Sequence, residues 1–238
     1  MSGLKVSNLN YSYGAKQALI DVCIDVEPGQ FCALLGPNGA GKSTLFGLLT
    51  RLLSTSNGII QIAGNDLALA PRAALAKLGI VFQQTTLDLD LSVRQNLSYF
   101  AALHGISGRA ATTRIDAALE RLDMRERAGE KARSLNGGHR RRAEIARALV
   151  HDPAVLLLDE ATVGLDAAAR KSITQHVHQL TDDGTTVLWA THLTDEVYAD
   201  DALIILHEGR VLAQGKVQDI TGGVPLQNKF LNLTAQPA

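Results

Sequence analysis

The nine residues GPNGAGKST, positions 36–44, constrain this chain more than any other feature. They fit the pattern G-x-x-x-x-G-K-[ST] at Gly36, Gly41, Lys42 and Ser43. The pattern works only between a β-strand and an α-helix. Its backbone N–H groups must turn inward around a phosphate chain, and the next helix must aim its positive end at the same point. Both flanks are present. FCALLG reads as a short apolar strand entering the loop, and KSTLFGLLTRLL leaves it with helical spacing. Pro37, Asn38, Gly39, Ala40 and Thr44 complete the loop. Glycine suits it because a Cβ would stand between backbone and phosphate. Lys42 is long enough to reach the β and γ phosphates of a nucleotide, and the Ser43 hydroxyl can ligate Mg²⁺.

A second anchor is AVLLLDE, where an apolar strand ends in two carboxylates. Its spacing behind the phosphate loop puts Asp159 beside the cation. Glu160 then lies next to the γ-phosphate, where a general base or water-orienting group is needed. Around these anchors the chain alternates strand and helix. LKVSNLNYSY and ALIDVCIDV alternate like half-buried strands. GIIQIAG, LGIVFQ, TTVLWATH and DALIILHEGRVLAQG are further strands, and LTDEVYA and LQNKFLNLT read as short helices. From Leu91 to Leu149 the pattern is helical. The whole predicts an α/β fold, a mostly parallel sheet with helices on its faces and a helical insertion.

The formal net charge is −1, which selects neither nucleic acid nor an anionic membrane as partner. Cys23 and Cys32 both sit in apolar runs and are expected as buried small hydrophobes, with no disulfide or metal site. The first residues lack an apolar signal core, and no run reaches the roughly 18 apolar residues of a membrane span. Any membrane part is therefore expected from other chains.

Six motifs follow one another: an aromatic near the start, the phosphate loop, VFQQ, LNGGHRRR, LLLDEATVGLD and WATH. In this order they resemble the nucleotide-binding subunit of the ATP-binding cassette (ABC) superfamily, over nearly the whole chain. The resemblance implies a P-loop NTPase (RecA-like) core with an N-terminal antiparallel β subdomain and an inserted α-helical subdomain. It implies one nucleotide-binding domain over 1–238: core 1–83 and 150–222, insertion 84–149, tail 223–238. Tyr13 then stacks on adenine, with Tyr11 as the alternative. Gln83 reaches Mg²⁺ and the attacking water, Asp166 links two sites across a dimer, and His192 contacts the γ-phosphate. Mg²⁺ is held through Ser43, Gln83 and Asp159. Asn136, Gly137 and Gly138 serve a second cassette's ATP, so the implied partners are a second ABC ATPase subunit, expected as a homodimer, and separate transmembrane permease subunits. The implied location is the cytoplasm, peripheral on the inner face of the cell membrane.

Within SLNGGHRRRAEIARALV, consecutive Arg140, Arg141 and Arg142 lie about 100° apart on a helix and cannot form one stripe. Ile145, Ala148 and Leu149 mark a buried face, and Glu144 and Arg147 are spaced to pair. A solvated, salt-bridged face is the expected role of these arginines. Positioning of the glycine loop is the second reading, and nucleic-acid binding is disfavoured without interleaved aromatics. Against the family pattern, Asn136 replaces Ser, Ala161 replaces Pro, and His139 replaces Gln. An Asn amide can still donate a hydrogen bond, though its length shifts the donor, so a competent site of altered geometry is expected, with a dead composite site as the alternative. VFQQTTLDLDLSVRQNLSYFAALHG and LQNKFLNLT look like exporter ATPases with separate membrane subunits. LNGGHRRR with TLDLDLSVRQNL is most similar to cassettes associated with quinone-dependent alcohol oxidation. The competing readings are a soluble non-transport ABC ATPase and a nucleotide-binding regulatory module without turnover. Intact Glu160 and His192 count against the second.

Overall fold

The structure, a computed structural model, describes residues 3–235. Residues 236–238 of the expected C-terminal tail lie outside the described residues. In chain order the elements are β1 (Leu4–Tyr13), β2 (Lys16–Val26), β3 (Phe31–Leu35), α1 (Lys42–Leu49), β4 (Ile59–Ile62), β5 (Asn65–Asp66), α2 (Pro71–Leu75), β6 (Leu78–Val81), α3 (Val93–Leu103), α4 (Gly108–Arg121), α5 (Gly137–Leu149), β7 (Val155–Asp159), α6 (Ala167–Asp182), β8 (Thr186–Thr191), β9 (Ala202–His207), β10 (Arg210–Lys216), α7 (Val217–Thr221) and α8 (Leu226–Thr234).

Two sheets organise the chain. A four-stranded sheet has the order β2-β1-β4-β5, antiparallel throughout. A six-stranded sheet has the order β10-β9-β3-β8-β7-β6, parallel from β9 to β6 with β10 as an antiparallel edge. The parallel strands are continuous apolar runs because both faces of the sheet are covered. On β3, Phe31, Ala33 and Leu35 face one core, with Trp189 of β8 and Leu158 of β7. Cys32 and Leu34 face the other, shared with α1 and the antiparallel sheet.

Helices α3, α4 and α5 lie between β6 and β7 in the chain. A capping box fixes the start of α3, with Ser92 accepting from the Gln95 N–H and the Gln95 side chain returning to the Ser92 N–H. α4 buries Ile115, Ala118 and Leu119, and α5 buries Ile145, Ala148 and Leu149 on the same core as the parallel sheet.

Two local expectations fail. LTDEVYA is only a 3₁₀ turn, Thr194–Glu196. Glu196 turns inward to accept bonds from threonine hydroxyls, and the Asp201 carboxylate takes the Tyr198 N–H at 2.6 Å. These side-chain bonds compete with helix formation. Cys32 is buried but Cys23 is exposed, because alternation along β2 buries its neighbours Val22 and Ile24 instead.

Candidate active site

β3 feeds the phosphate loop and α1 begins at Lys42. A Cβ on Gly36 would stand 2.5 Å from the Leu206 carbonyl oxygen. Gly41 has φ +112° and would meet the Ala18 carbonyl at 2.8 Å. Both positions therefore exclude a side chain. No side chain caps the start of α1, so its positive end faces the loop.

Lys42 is buried. Its Nζ donates to the Gly36 carbonyl at 2.6 Å and the Pro37 carbonyl at 3.2 Å, and lies 3.6 Å from Glu160 Oε1. Burial lowers the Lys42 pKa, and the Glu160 carboxylate opposes that shift. Gln83 Nε2 donates to Glu160 Oε2 at 3.0 Å, and His192 Nδ1 lies 3.4 Å from Glu160 Oε1. One carboxylate thus gathers an ammonium, an amide and an imidazole from three other segments. Glu160 itself has φ +46°, a left-handed torsion rare outside glycine. Its N–H is tied to the Ala190 carbonyl at 2.9 Å. Such strain costs on the order of 1–3 kcal/mol and persists only where its surroundings enforce it.

These groups share one cavity of about 790 Å³, lined by Tyr13, residues 37–44, Gln83, Glu160, Val163 and His192. Tyr13 is half exposed at this cavity and packs edge-on against Tyr11, with ring centroids 5.0 Å apart. Tyr11 instead packs on the core under the antiparallel sheet. Sequence reasoning missed Lys16, Gln17, Ala18, Glu208 and Gly209, which also line the cavity. They come from the start of β2 and the β9–β10 turn, which carry no motif.

Asp159 ends β7 beside Glu160. Its pKa is raised by burial and then by the Glu160 charge, and Lys42 opposes this. A cation bound to the Asp159 carboxylate would relieve that tension, and carboxylate and hydroxyl oxygens, such as that of Ser43 at the cavity wall, suit a hard ion. Among the described residues no group of three His, Cys, Asp or Glu could hold a metal. A cation here would complete its shell with phosphate and water oxygens.

Behind the site, sequence reasoning also missed Glu196. Its buried carboxylate accepts the Thr191 hydroxyl at 2.5 Å and the Thr162 hydroxyl. Thr162 follows Glu160 by two residues and Thr191 precedes His192. Glu196 therefore ties together the two turns that carry Glu160 and His192. Ala161 is fully buried between these residues.

The glycine-pair segment lies elsewhere. Asn136 N-caps α5: its Oδ1 accepts the His139 N–H at 2.8 Å, which leaves its NH₂ as a donor. Asp166 N-caps α6, accepting the Ala169 N–H at 2.8 Å. A Cβ on Gly137 would come within 3.0 Å of the Leu165 side chain, and one on Gly138 within 3.0 Å of the Ala169 Cβ. The two helix starts are thus neighbours, and neither borders the cavity that holds Lys42 and Glu160.

The arginines are not a solvated face. Arg140 donates to the Ala132 and Leu135 carbonyls, just ahead of the glycine pair. Arg141 is buried against the Gln83 loop, and Arg142 bonds the Ser172 hydroxyl at 2.8 Å. Glu144 pairs with Arg141, not Arg147, because Arg147 is drawn to Thr86. The 100° fan sends each arginine to a different segment.

Comparisons with known proteins identify the family. The family model described as "ABC transporter" matches residues 19–163. The daunorubicin resistance ATP-binding protein DrrA3 of Streptomyces coeruleorubidus is 37% identical over 226 residues, covering 93% of this chain and 72% of that one. Nod factor export ATP-binding protein I of Cupriavidus metallidurans is 35% identical over 218 residues, covering 91% and 72%. Among solved structures, cbiO1 of Clostridium perfringens, described as part of the ABC transporter complex cbiONQ, superposes with a TM-score of 0.86 at 32% identity, covering 98% of this chain and 95% of that one.

Proposed function

The chain belongs to the ABC transporter family of ATP-binding, ATP-hydrolysing subunits, and from that premise we propose that it drives a membrane exporter, acting as one of two paired cassettes beneath separate transmembrane subunits. The observation that carries the catalytic assignment is the convergence of Lys42, Gln83 and His192 on the strained Glu160 carboxylate. The relatives named for drug resistance and Nod factor export support the exporter reading. No described helix is long and apolar enough to cross a membrane, so we assign membrane contact to the partner subunits, with this chain on the cytoplasmic face. Residues 84–149 are taken as the inserted subdomain.

In this reading ATP lies along the cavity, its adenine on Tyr13 and its phosphates against the loop N–H groups and the start of α1. Glu160 accepts a proton from a water held with Gln83. That water attacks the γ-phosphorus while the bond to the β–γ bridging oxygen breaks and ADP departs. Lys42 moves from the Gly36 carbonyl to the phosphate oxygens and offsets developing charge, and His192 supports the γ-phosphate. Mg²⁺, held by Ser43, Asp159 and Gln83, would supply Lewis-acid charge neutralisation. Asn136, Gly137 and Gly138 meet the γ-phosphate of the second cassette. Their separation from this chain's own cavity, and the adjacent Asp166, support a shared site.

Phosphate release by the purified protein with its membrane subunits tests this. Steady release that disappears in Lys42→Ala is expected. Tight ATP binding without any release would overturn turnover and leave a regulatory module.

A further inference from the structure

The loop that carries Gln83 is held at both ends by one helix. Arg141 Nη1 donates to the Phe82 carbonyl and Nη2 to the Gln83 carbonyl, each at 2.7 Å. Arg141 Nη1 also meets Glu144 Oε2 at 2.8 Å, and Glu144 Oε1 accepts the Thr86 N–H at 2.7 Å. One turn further along α5, Arg147 donates to the Thr86 carbonyl at 2.8 Å and its hydroxyl at 2.6 Å. Arg141 is 7% exposed and Glu144 1%. A buried ion pair is costly to desolvate and is weak evidence for stability. What this one achieves is geometric. The rigid guanidinium fork reads two successive carbonyls, which a lysine cannot do. With its backbone so fixed, Gln83 points its amide at Glu160.

We propose that Arg141 and Glu144 are positioning residues for ATP hydrolysis: they fasten the Gln83 loop to the helix that begins at Asn136, so that α5 and Gln83 move as one. The inference rests on the reading of Gln83 and Glu160 as hydrolytic residues. It supplies a physical link between the two composite sites. The start of α5 meets a partner's nucleotide, and its second turn sets the glutamine of this chain's own site.

A double-mutant cycle on kcat decides it. Arg141→Met with Glu144→Gln removes both charges together, and the glutamine can still accept the Thr86 N–H. This pair variant should lower kcat about tenfold. The KM for ATP should stay within about twofold, because neither residue lines the nucleotide cavity. Placed in a Gln83→Ala background, the same change should cost less than about twofold more, since its effect passes through Gln83. Arg141→Lys preserves the charge pair and its folding, and should show a smaller loss with the same non-additivity. Full kcat in the folded variants overturns the proposal, as do losses that multiply with that of Gln83→Ala. If Gln83→Ala itself hydrolyses ATP at the full rate, the catalytic reading of Gln83 fails and the proposal falls with it. A slow Gln83→Ala beside a full-rate clamp variant sinks the proposal alone.

Discussion

The phosphate loop and the glycine-pair segment both lie at the start of a helix, and they are built in opposite ways. At the phosphate loop, α1 has no side-chain cap, Gly41 and Glu160 hold left-handed torsions, and backbone carbonyls exclude any Cβ from Gly36 and Gly41. At the second site, α5 and α6 are capped by Asn136 and Asp166 at ordinary extended torsions, φ −68° and −65°. There only side chains crowd the glycines. The first region is strained and closes around one carboxylate. The second is relaxed and lies outside the cavity that holds Lys42 and Glu160. A strained torsion such as that of Glu160 persists only where the surrounding core enforces it.

The largest test of this contrast is Glu160→Gln. The amide keeps the shape and can still accept from Gln83, but it cannot take a proton or neutralise Lys42. Phosphate release should fall about 10³-fold, roughly 4 kcal/mol, while ATP still binds. An ATP-held dimer should then accumulate on size exclusion. A monomer that retains ATP would break the comparison, since the relaxed region would have no ligand to meet.

A smaller effect, read in stability, acts at the far end of α5. His151 Nε2 donates to the Leu78 carbonyl at 3.0 Å, its Nδ1 is buried without a partner, and its ring stacks on His104. Burial disfavours the imidazolium and pulls the pKa from 6.5 down to about 4, with His104 adding to the shift. A folded value below the unfolded one means that the unfolded chain binds the extra proton between these two pH values. The stability is fully present above about pH 6.5 and is lost as pH falls towards 4, by up to about 3 kcal/mol. His151→Phe keeps the stacking and should flatten this acid limb in denaturant titrations. An unchanged limb would rule the residue out.

The contrast between the regions also explains what the sequence made legible. The phosphate loop, the Asp159–Glu160 strand end and most strands are written locally, as glycine spacing and apolar runs, and they stand where their pattern predicts. Glu196 and the Arg141–Glu144 pair were not legible. Each acts on segments distant in the chain, Thr162 in one case and residues 82–86 in the other, and no spacing rule encodes that closure. The arginines illustrate the failure. Helical geometry correctly fans them apart, but their burial depends on a loop 58 residues earlier in the chain. Cys23 misled for the converse reason: its apolar neighbours are buried by alternation, and alternation exposes it.

Asn136→Asp isolates the electrostatics of the relaxed region. Aspartate accepts the His139 N–H as asparagine does, so the cap should hold and the folding stability should change by no more than about 0.5 kcal/mol. If this side chain faces a partner's γ-phosphate as proposed, a carboxylate here should nevertheless lower hydrolysis about 10²-fold, near 2.7 kcal/mol. Asn136→Ser, equally good as a cap, should stay active. Full activity in the aspartate variant would mean that this side chain caps its helix and does nothing more.

The smallest effect separates packing from ligand binding at the glycines themselves. In Gly137→Ala the new methyl meets only the flexible end of Leu165, so stability should stay level or rise by up to about 1 kcal/mol through helix propensity. In Gly138→Ala the methyl presses on the Ala169 Cβ, which cannot rotate away, and α5 must shift from α6 at a cost of about 1 kcal/mol. If these glycines serve the second cassette's phosphate, hydrolysis should drop in both variants although stability moves in opposite directions. If activity follows stability instead, falling only in Gly138→Ala, the glycine pair is explained by the contact between two helices, and the relaxed region loses its claim to a nucleotide.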